Sequence, residues 1–114
     1  MVKTVSIKKN SDFLKAYKKG KFYVGKLMVL YFRPNGMEFN RLGITASRKL
    51  GGSVKRNRFR RLIKENYRLL EDNIKCGFDF VIVAREAAIL PDSSHVRKEM
   101  KFLFRKLELF IDVQ

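Results

Sequence analysis

"GGSVKRNRFRRLIKENYR", Gly51 to Arg68, sets seven Lys and Arg residues against one Glu. Ser53 is a good N-cap, and the residues after it read as one long helix, roughly through Asp72. At about 100° per residue, Phe59, Leu62, Ile63, Leu69 and Leu70 fall within an arc of about 120°. That face has to bury against something apolar. Asn57, Arg60, Arg61, Lys64 and Arg68 gather within an arc of about 100° on the opposite side, and Lys55, Arg56 and Arg58 flank them at the first turn. One helix thus has a face for a core and a face for a polyanion.

The flanking sequence supplies a sheet. Arg41 to Leu50 reads as a strand that ends at "KLGG". Before it, Phe22 to Arg33 is rich in aromatic and β-branched residues and reads as another strand. Pro34 and Asn35-Gly36 mark a turn between the two, which are expected to run antiparallel. After the helix, Gly77 marks the exit and "FDFVIVAREA" is a strand whose continuous apolar centre predicts an inner place in the sheet. Pro91 and Asp92 break the chain. A last helix starts near Ser93, with Val96, Met100, Leu103, Phe104, Leu107 and Phe110 on one stripe.

Near the start, Asn10 reads as an N-cap and Gly20 as a C′ residue. They bound a short helix with Phe13, Leu14, Ala16 and Tyr17 at helical spacing. The order is α-β-β-α-β-α, with room for a further short strand near Val2 to Ile7 or Met37 to Phe39. That order predicts an α+β, two-layer sandwich on a mostly antiparallel sheet. With no repeat, low-complexity tract or linker, the 114 residues read as a single domain, 1–114.

Composition narrows the function. Apolar residues make up 46% of the chain, a globular value, while the net charge is +15. Residues 1–21 carry +6, residues 22–47 +2, residues 48–68 +8 and residues 69–114 −1. A generally sticky protein would spread its charge; this one concentrates it, and Arg48 and Lys49 extend the basic run upstream. Cys76 is the one cysteine, which rules out an intramolecular disulfide and a thiolate metal cluster. The N-terminus lacks the apolar run of a signal peptide, and Leu27 to Phe32 is too short to span a bilayer. A cytoplasmic protein without membrane contact is the default reading.

The first turn of the basic helix presents free backbone N–H groups and the positive end of the macrodipole. Cations there are unfavourable alone and favourable beside a phosphate, which the arginines can hold through charge-assisted hydrogen bonds. Nucleic acid is therefore the expected partner. No zinc-finger spacing, heptad or clear helix-turn-helix points to DNA, and a helix fixed against a sheet suits a folded RNA backbone.

A second surface is aromatic. Val29 and Tyr31 share one face of their strand. Phe13 and Tyr17 lie one turn apart on the first helix. If that helix sits beside the open sheet face, Phe13, Tyr17, Val29 and Tyr31 line a groove bordered by the seven N-terminal lysines. Aromatic faces with Lys at the rim hold single-stranded nucleic acid by stacking. Ordinary core is the competing reading for Phe13 and Val29; the hydroxyls of Tyr17 and Tyr31 favour a wet site.

Catalytic residues are not visible. His95, the lone histidine, reads as a surface or capping residue, and Cys76 as a buried structural thiol. The acids are scattered, and there is no phosphate-cradling loop.

"RLGITASRKLGGSVKRNRFRRLIKENYR" resembles the signature of the protein component of bacterial ribonuclease P: a Gly-Leu-Ser-Val-Ser-Lys-Lys type strand, Gly-Asn-Ala-Val, Arg-Asn-Arg, then a Lys-Arg-Leu-Ile-Arg-Glu type helix. Arg56-Asn57-Arg58 reproduces the central tripeptide. "KKNSDFLKAYKKG" is similar to the family's first helix and "FDFVIVAR" to its last strand. Gly52, Ser53, Ala46 and Arg60 depart from the usual Asn, Ala, Val and Lys, and none removes charge from the helix. The resemblance implies a left-handed β-α-β crossover, as in the second domain of a small-subunit ribosomal protein, against the usual handedness. It implies a catalytic RNA that hydrolyses precursor tRNA with Mg²⁺ bound mainly by the RNA. Arg56, Asn57 and Arg58 would face that RNA, and the groove aromatics Phe13, Tyr17 and Tyr31 would hold the 5′ leader. The chain would be a subunit of an endoribonuclease, not catalytic alone. A structural ribosomal RNA-binding protein is the alternative.

Overall fold

β5, Phe78–Ala84, is the middle strand of a five-stranded sheet with the order β1-β4-β5-β3-β2. In the computed structural model, which describes residues 3–85 and 92–111, the other strands are β1 (Thr4–Ser6), β2 (Lys21–Val24), β3 (Met28–Pro34) and β4 (Asn40–Thr45). The helices are α1 (Asn10–Lys19), α2 (Ser53–Leu70) and α3 (Ser93–Lys106). Short 3₁₀ turns at Arg48–Leu50 and Glu71–Asn73 bracket α2. The α+β architecture, the inner place of β5 and the short strand near the N-terminus follow the sequence expectation. The break expected at Pro91, and Val2 of the first strand, lie outside the described residues.

Strand pairing departs from expectation in two places. Phe22 to Arg33 is not one strand: the chain folds back at residues 25–27, and β2 pairs antiparallel with β3. The Glu99 carboxylate of α3 accepts from the backbone N–H groups of Lys26, Leu27 and Met28 at 2.7, 2.8 and 3.0 Å, which fixes that turn. Next, β3 and β4 run antiparallel but do not touch along an edge. β5 inserts between them, antiparallel to β3 and parallel to β4. With β1 also parallel to β4, the sheet is mixed rather than mostly antiparallel. β4 itself stops at Thr45, short of the expected Leu50.

Alternation along the strands gives the two faces different roles. Met28 and Leu30, Leu42, and Phe80 and Ile82 point to one face, where α2 and α3 bury Phe59, Leu62, Ile63, Tyr67, Val96, Met100, Leu103 and Phe104 on them. Leu69, assigned to the buried face by the wheel, is 62% exposed. Asn66 and Tyr67 are buried in its place. Asn66 donates to the Leu62 carbonyl, and the Tyr67 hydroxyl pairs with Thr4 Oγ1 at 2.8 Å, so both polar groups are satisfied inside. Burial pushes the Tyr67 phenol up to about 12, against the opposing hydrogen bond from Thr4.

α1 lies on the other face. Fully buried Ala16 packs with Ile7 and Val81, and Phe13, Tyr31 and Val83 surround them. The two-layer description therefore holds for the sheet with α2 and α3, and α1 adds partial cover behind. The approach is close: a Cβ at Gly43 would lie 2.5 Å from Cε1 of Phe13. Polar groups fix the same contact. Arg41 binds the buried Asp79 through Nε and Nη2 at 2.8 and 2.6 Å, and reaches Asp12 of α1 at 3.3 Å. Burial raises the Asp79 carboxyl, yet the hydrogen bonds from Arg41 and Asn35 outweigh that and hold it below the usual carboxylate range.

The expected caps shift by one residue. Gly52, not Ser53, is the N-cap of α2, and Lys9, not Asn10, that of α1; neither gives a side-chain hydrogen bond. Cys76 is exposed rather than buried. His95 is a capping-turn residue at the surface: its backbone N–H donates to the Asp92 carboxylate at 2.8 Å.

Candidate nucleic-acid interface

The basic surface is built by α2 and the turn before it. Gly51 takes φ +133°, a conformation that L side chains rarely adopt, and turns the chain from Arg48–Leu50 into the helix. The first turn of α2 has no acidic residue and no side-chain cap. Its backbone N–H groups therefore face outward with the positive end of the helix dipole.

Burial along α2 sorts the expected RNA-binding residues. Lys55, Asn57, Arg61, Lys64 and Arg68 are exposed, as are Arg48 and Lys49 in the preceding turn. Arg56, Arg58 and Arg60 are half-buried. Among the described residues a single carboxylate reaches this face, Glu65 at 3.9 Å from Nε of Arg61, too far for a strong pair. Arg60 Nη1 lies 3.4 Å from Asn57 Oδ1. The buried Nε of Arg56 has no hydrogen-bond partner among the described residues. The face repels itself, and a row of phosphates is the chemistry that relieves it.

The aromatic residues expected to line a groove lie on the sheet face that carries α1. The rings of Tyr17 and Tyr31 meet edge to face at 5.0 Å. Phe13, Val29 and Tyr31 are half-buried and Tyr17 is 37% exposed, so the groove is an open continuation of the small core behind α1. Val83, directly opposite Val29 in register, extends its floor.

Sequence reading missed Phe22. It lies opposite Tyr31 on β2, with ring centroids 5.3 Å apart, and is 56% exposed. The signal that would have found it is the β2–β3 hairpin, which puts Phe22 and Tyr31 on one face. The lysine rim is also narrower than expected, because Lys8, Lys9 and Lys15 line a different cleft.

The two surfaces are not wholly opposed. β1 covers only the first half of β4, and at the uncovered edge Phe13 of the groove and Arg60 and Lys64 of α2 line one cavity of about 150 Å³.

Among the described residues no helix is long and apolar enough to cross a membrane, and no three His, Cys, Asp or Glu side chains form a group able to hold a metal ion.

Comparison with known proteins places this geometry. The family model for ribonuclease P matches residues 1–108. The ribonuclease P protein component of Thermoanaerobacter sp. strain X514 is 42% identical over 108 residues, covering 95% of this chain and 93% of the relative. That of Clostridium perfringens is 43% identical over 112 residues, covering 92% and 90%. A solved ribonuclease P protein of Staphylococcus aureus superposes with a TM-score of 0.86 at 32% identity, over 93% of this chain and 97% of that one. One from Thermotoga maritima gives 0.80 at 33%, over 88% and 96%. With a family model over nearly its whole length, relatives above 40% identity and the same fold, the chain belongs to the ribonuclease P protein family.

Proposed function

We propose that α2 and the Arg48–Leu50 turn dock on the catalytic RNA of ribonuclease P, and that the groove of Phe13, Tyr17, Val29 and Tyr31 holds the 5′ leader of precursor tRNA. Membership of the family makes the chain the protein subunit of this endoribonuclease, acting in tRNA 5′-end maturation with an RNA partner. The structural ribosomal protein considered from sequence shares the charge but not the family.

The observation that carries the reading is the pairing of a strongly basic helix with an open aromatic groove, joined at Phe13, Arg60 and Lys64. Phosphates supply what the first attracts, and unpaired bases what the second stacks. The leader is the part of precursor tRNA that mature tRNA lacks, so a groove that holds it distinguishes substrate from product.

We assign the hydrolysis to the RNA, with Mg²⁺ bound mainly there. The chain's own residues then bind and orient: the arginines of α2 neutralise RNA phosphates, and the tyrosines position the leader. The cytoplasm, where tRNA is matured in bacteria, is the compartment this role requires. The test is cleavage of precursor tRNA by the protein alone, by the RNA alone and by both, across Mg²⁺ concentrations. The expected result is no cleavage by protein alone and the largest gain from protein at low Mg²⁺, where its charge substitutes for screening cations. Cleavage by the RNA-free protein through repurification would sink the assignment.

A further inference from the structure

The flank of α1 turned away from Tyr17 forms the wall of a second cleft, a cavity of about 660 Å³. Lys8, Lys9, Lys15 and Arg33 line it; among the described residues none of the four forms a salt bridge, although Arg33 stands opposite Asp79 in the β3–β5 register and helps to hold its charge. Two acids do face it, Asp12 and Asp79, and both are held by Arg41. Five cations against two carboxylates leave the cleft strongly positive.

Its far wall is apolar and exposed. Met37 and Phe39 are 42% and 40% exposed on the loop between β3 and β4. That loop is tied down: Asn35 accepts from the Met37 N–H at 2.8 Å, and its amide donates to the Phe39 carbonyl and to Asp79, each at 3.1 Å. Large apolar side chains presented on a pinned loop, beside these cations, have the composition of a base-stacking site rather than of a solvated surface.

The cleft also adjoins the cavity at the sheet edge. Ser6 lines both this cleft and the edge cavity that Phe13 shares with Arg60 and Lys64. We infer that it is a second subsite for single-stranded RNA and takes the 5′-distal part of the same leader, beyond the nucleotides at Tyr17 and Tyr31. A base rests on Phe39 and Met37, and the flanking phosphates sit on Lys8, Lys9, Lys15 and Arg33. This rests on the groove reading above.

The experiment measures affinity of the enzyme assembled with its catalytic RNA for precursor tRNAs whose leaders are trimmed one nucleotide at a time, and for mature tRNA. Two variants are used, Phe39→Ala and the exposed pair Lys8→Gln/Lys9→Gln, so that a packing defect in one does not decide the matter. The expected result is about tenfold weaker binding of the longest leader by each, the deficit vanishing once the leader is too short to leave the groove. The Tyr17→Ala/Tyr31→Ala protein should stay weakened at those short lengths. A cleft-variant deficit independent of leader length, or shared by mature tRNA, would place the contact on the catalytic RNA or the tRNA body and overturn the inference. So would full affinity of both variants at every length. If only the tyrosine variant lacks a leader-dependent loss, the groove reading fails while the cleft stands as the leader's site.

Discussion

Arg41 grips Asp79 with two nitrogens of its guanidinium, and the third reaches Asp12 on α1. One side chain of β4 thereby fixes its neighbour β5 and the helix that walls both clefts. The Asp79 side chain is only 1% exposed, so its charge depends on this partner. Arg41→Ala should cost about 3–5 kcal/mol, because it leaves a buried carboxylate unpaired. The pH dependence should reverse in sign. In the wild type a depressed carboxyl contributes stability above the ordinary carboxylate pKa, lost as pH falls through the folded-state value. Without Arg41, desolvation dominates and raises the group, so acidification through that range should stabilise the variant relative to neutral pH. Urea midpoints of both proteins from pH 3 to 7 give the comparison; parallel curves would mean that the pair does not set the charge state.

Tyr67 governs the opposite limb. Its phenol is pushed up to about 12 from 10.0, so it contributes stability that is complete below pH 10 and lost as pH rises through 12. Two units correspond to roughly 2–3 kcal/mol. Tyr67→Phe should lose about 1 kcal/mol at pH 7 with the Thr4 hydrogen bond, and lose less than wild type between pH 10 and 12. Because the two proteins differ only in the hydroxyl of residue 67, the difference between the two curves isolates the phenol.

Gly43 sets the distance between α1 and the sheet. A methyl group there meets the Phe13 ring at 2.5 to 2.7 Å, so helix or ring has to move. Gly43→Ala should cost about 1–3 kcal/mol by overpacking. It should also weaken precursor tRNA binding, since Phe13 belongs to groove and edge cavity alike. Unchanged stability and affinity would mean that α1 shifts freely and that the groove is not preorganised.

The basic helix is tested by salt. Changing Arg60, Arg61 and Lys64 together to Gln removes three cations while keeping their hydrogen-bonding reach. Arg61 and Lys64 are exposed and Arg60 half-buried, so the fold should persist. Each RNA phosphate deprived of its cation should lower the slope of log affinity against log salt by about 0.7–0.9. A folded triple variant with the wild-type slope would move the interface elsewhere.

How much of this could be read in the chain depends on how local its cause is. The period of α2 announced both its faces, because Phe59, Leu62 and Ile63 and the intervening arginines are set by helical spacing alone. Leu69 failed for the same reason: the wheel ranks by hydropathy, whereas Tyr67 and Asn66 are buried through hydrogen bonds to Thr4 and within α2 that no periodicity encodes. The β2–β3 turn was invisible because its stabilising group, Glu99, comes from α3, 71 to 73 residues away. The Asn35-Gly36 turn was real, and Gly36 does take φ +71°. It carries the chain past the start of β5, where the Asn35 N–H donates to the Gly77 carbonyl, instead of closing a hairpin. Phe22 and the cleft beside Phe39 were missed as a consequence, since both are products of strand order.

The aromatic groove makes the most discriminating prediction for the assembled enzyme. Stacking on one aromatic is worth about 1–3 kcal/mol per base, and about 1.4 kcal/mol is one decade of affinity. Tyr17 and Tyr31 meet edge to face at 5.0 Å, and Phe22 lies 5.3 Å from Tyr31, so the three rings form one cluster. Tyr17→Ala/Tyr31→Ala should weaken precursor tRNA by at least about tenfold. Mature tRNA has no leader and should be held as before. Phe22→Ala should show the same selectivity at smaller size, because its 56% exposure leaves little packing to lose. Assembly with the catalytic RNA should persist in both variants, measured by titration at fixed salt, since Lys55, Arg61 and Arg68 of α2 are untouched. Phe13 is the informative exception. It borders the cavity with Arg60 and Lys64, so Phe13→Ala should reduce leader affinity and stability together. Equal loss for precursor and mature tRNA in the tyrosine variant, with native circular dichroism, would show that the rings only support the fold. A preserved ratio for Phe22→Ala alongside a collapsed one for the tyrosines would confine the leader to the α1 side of the sheet.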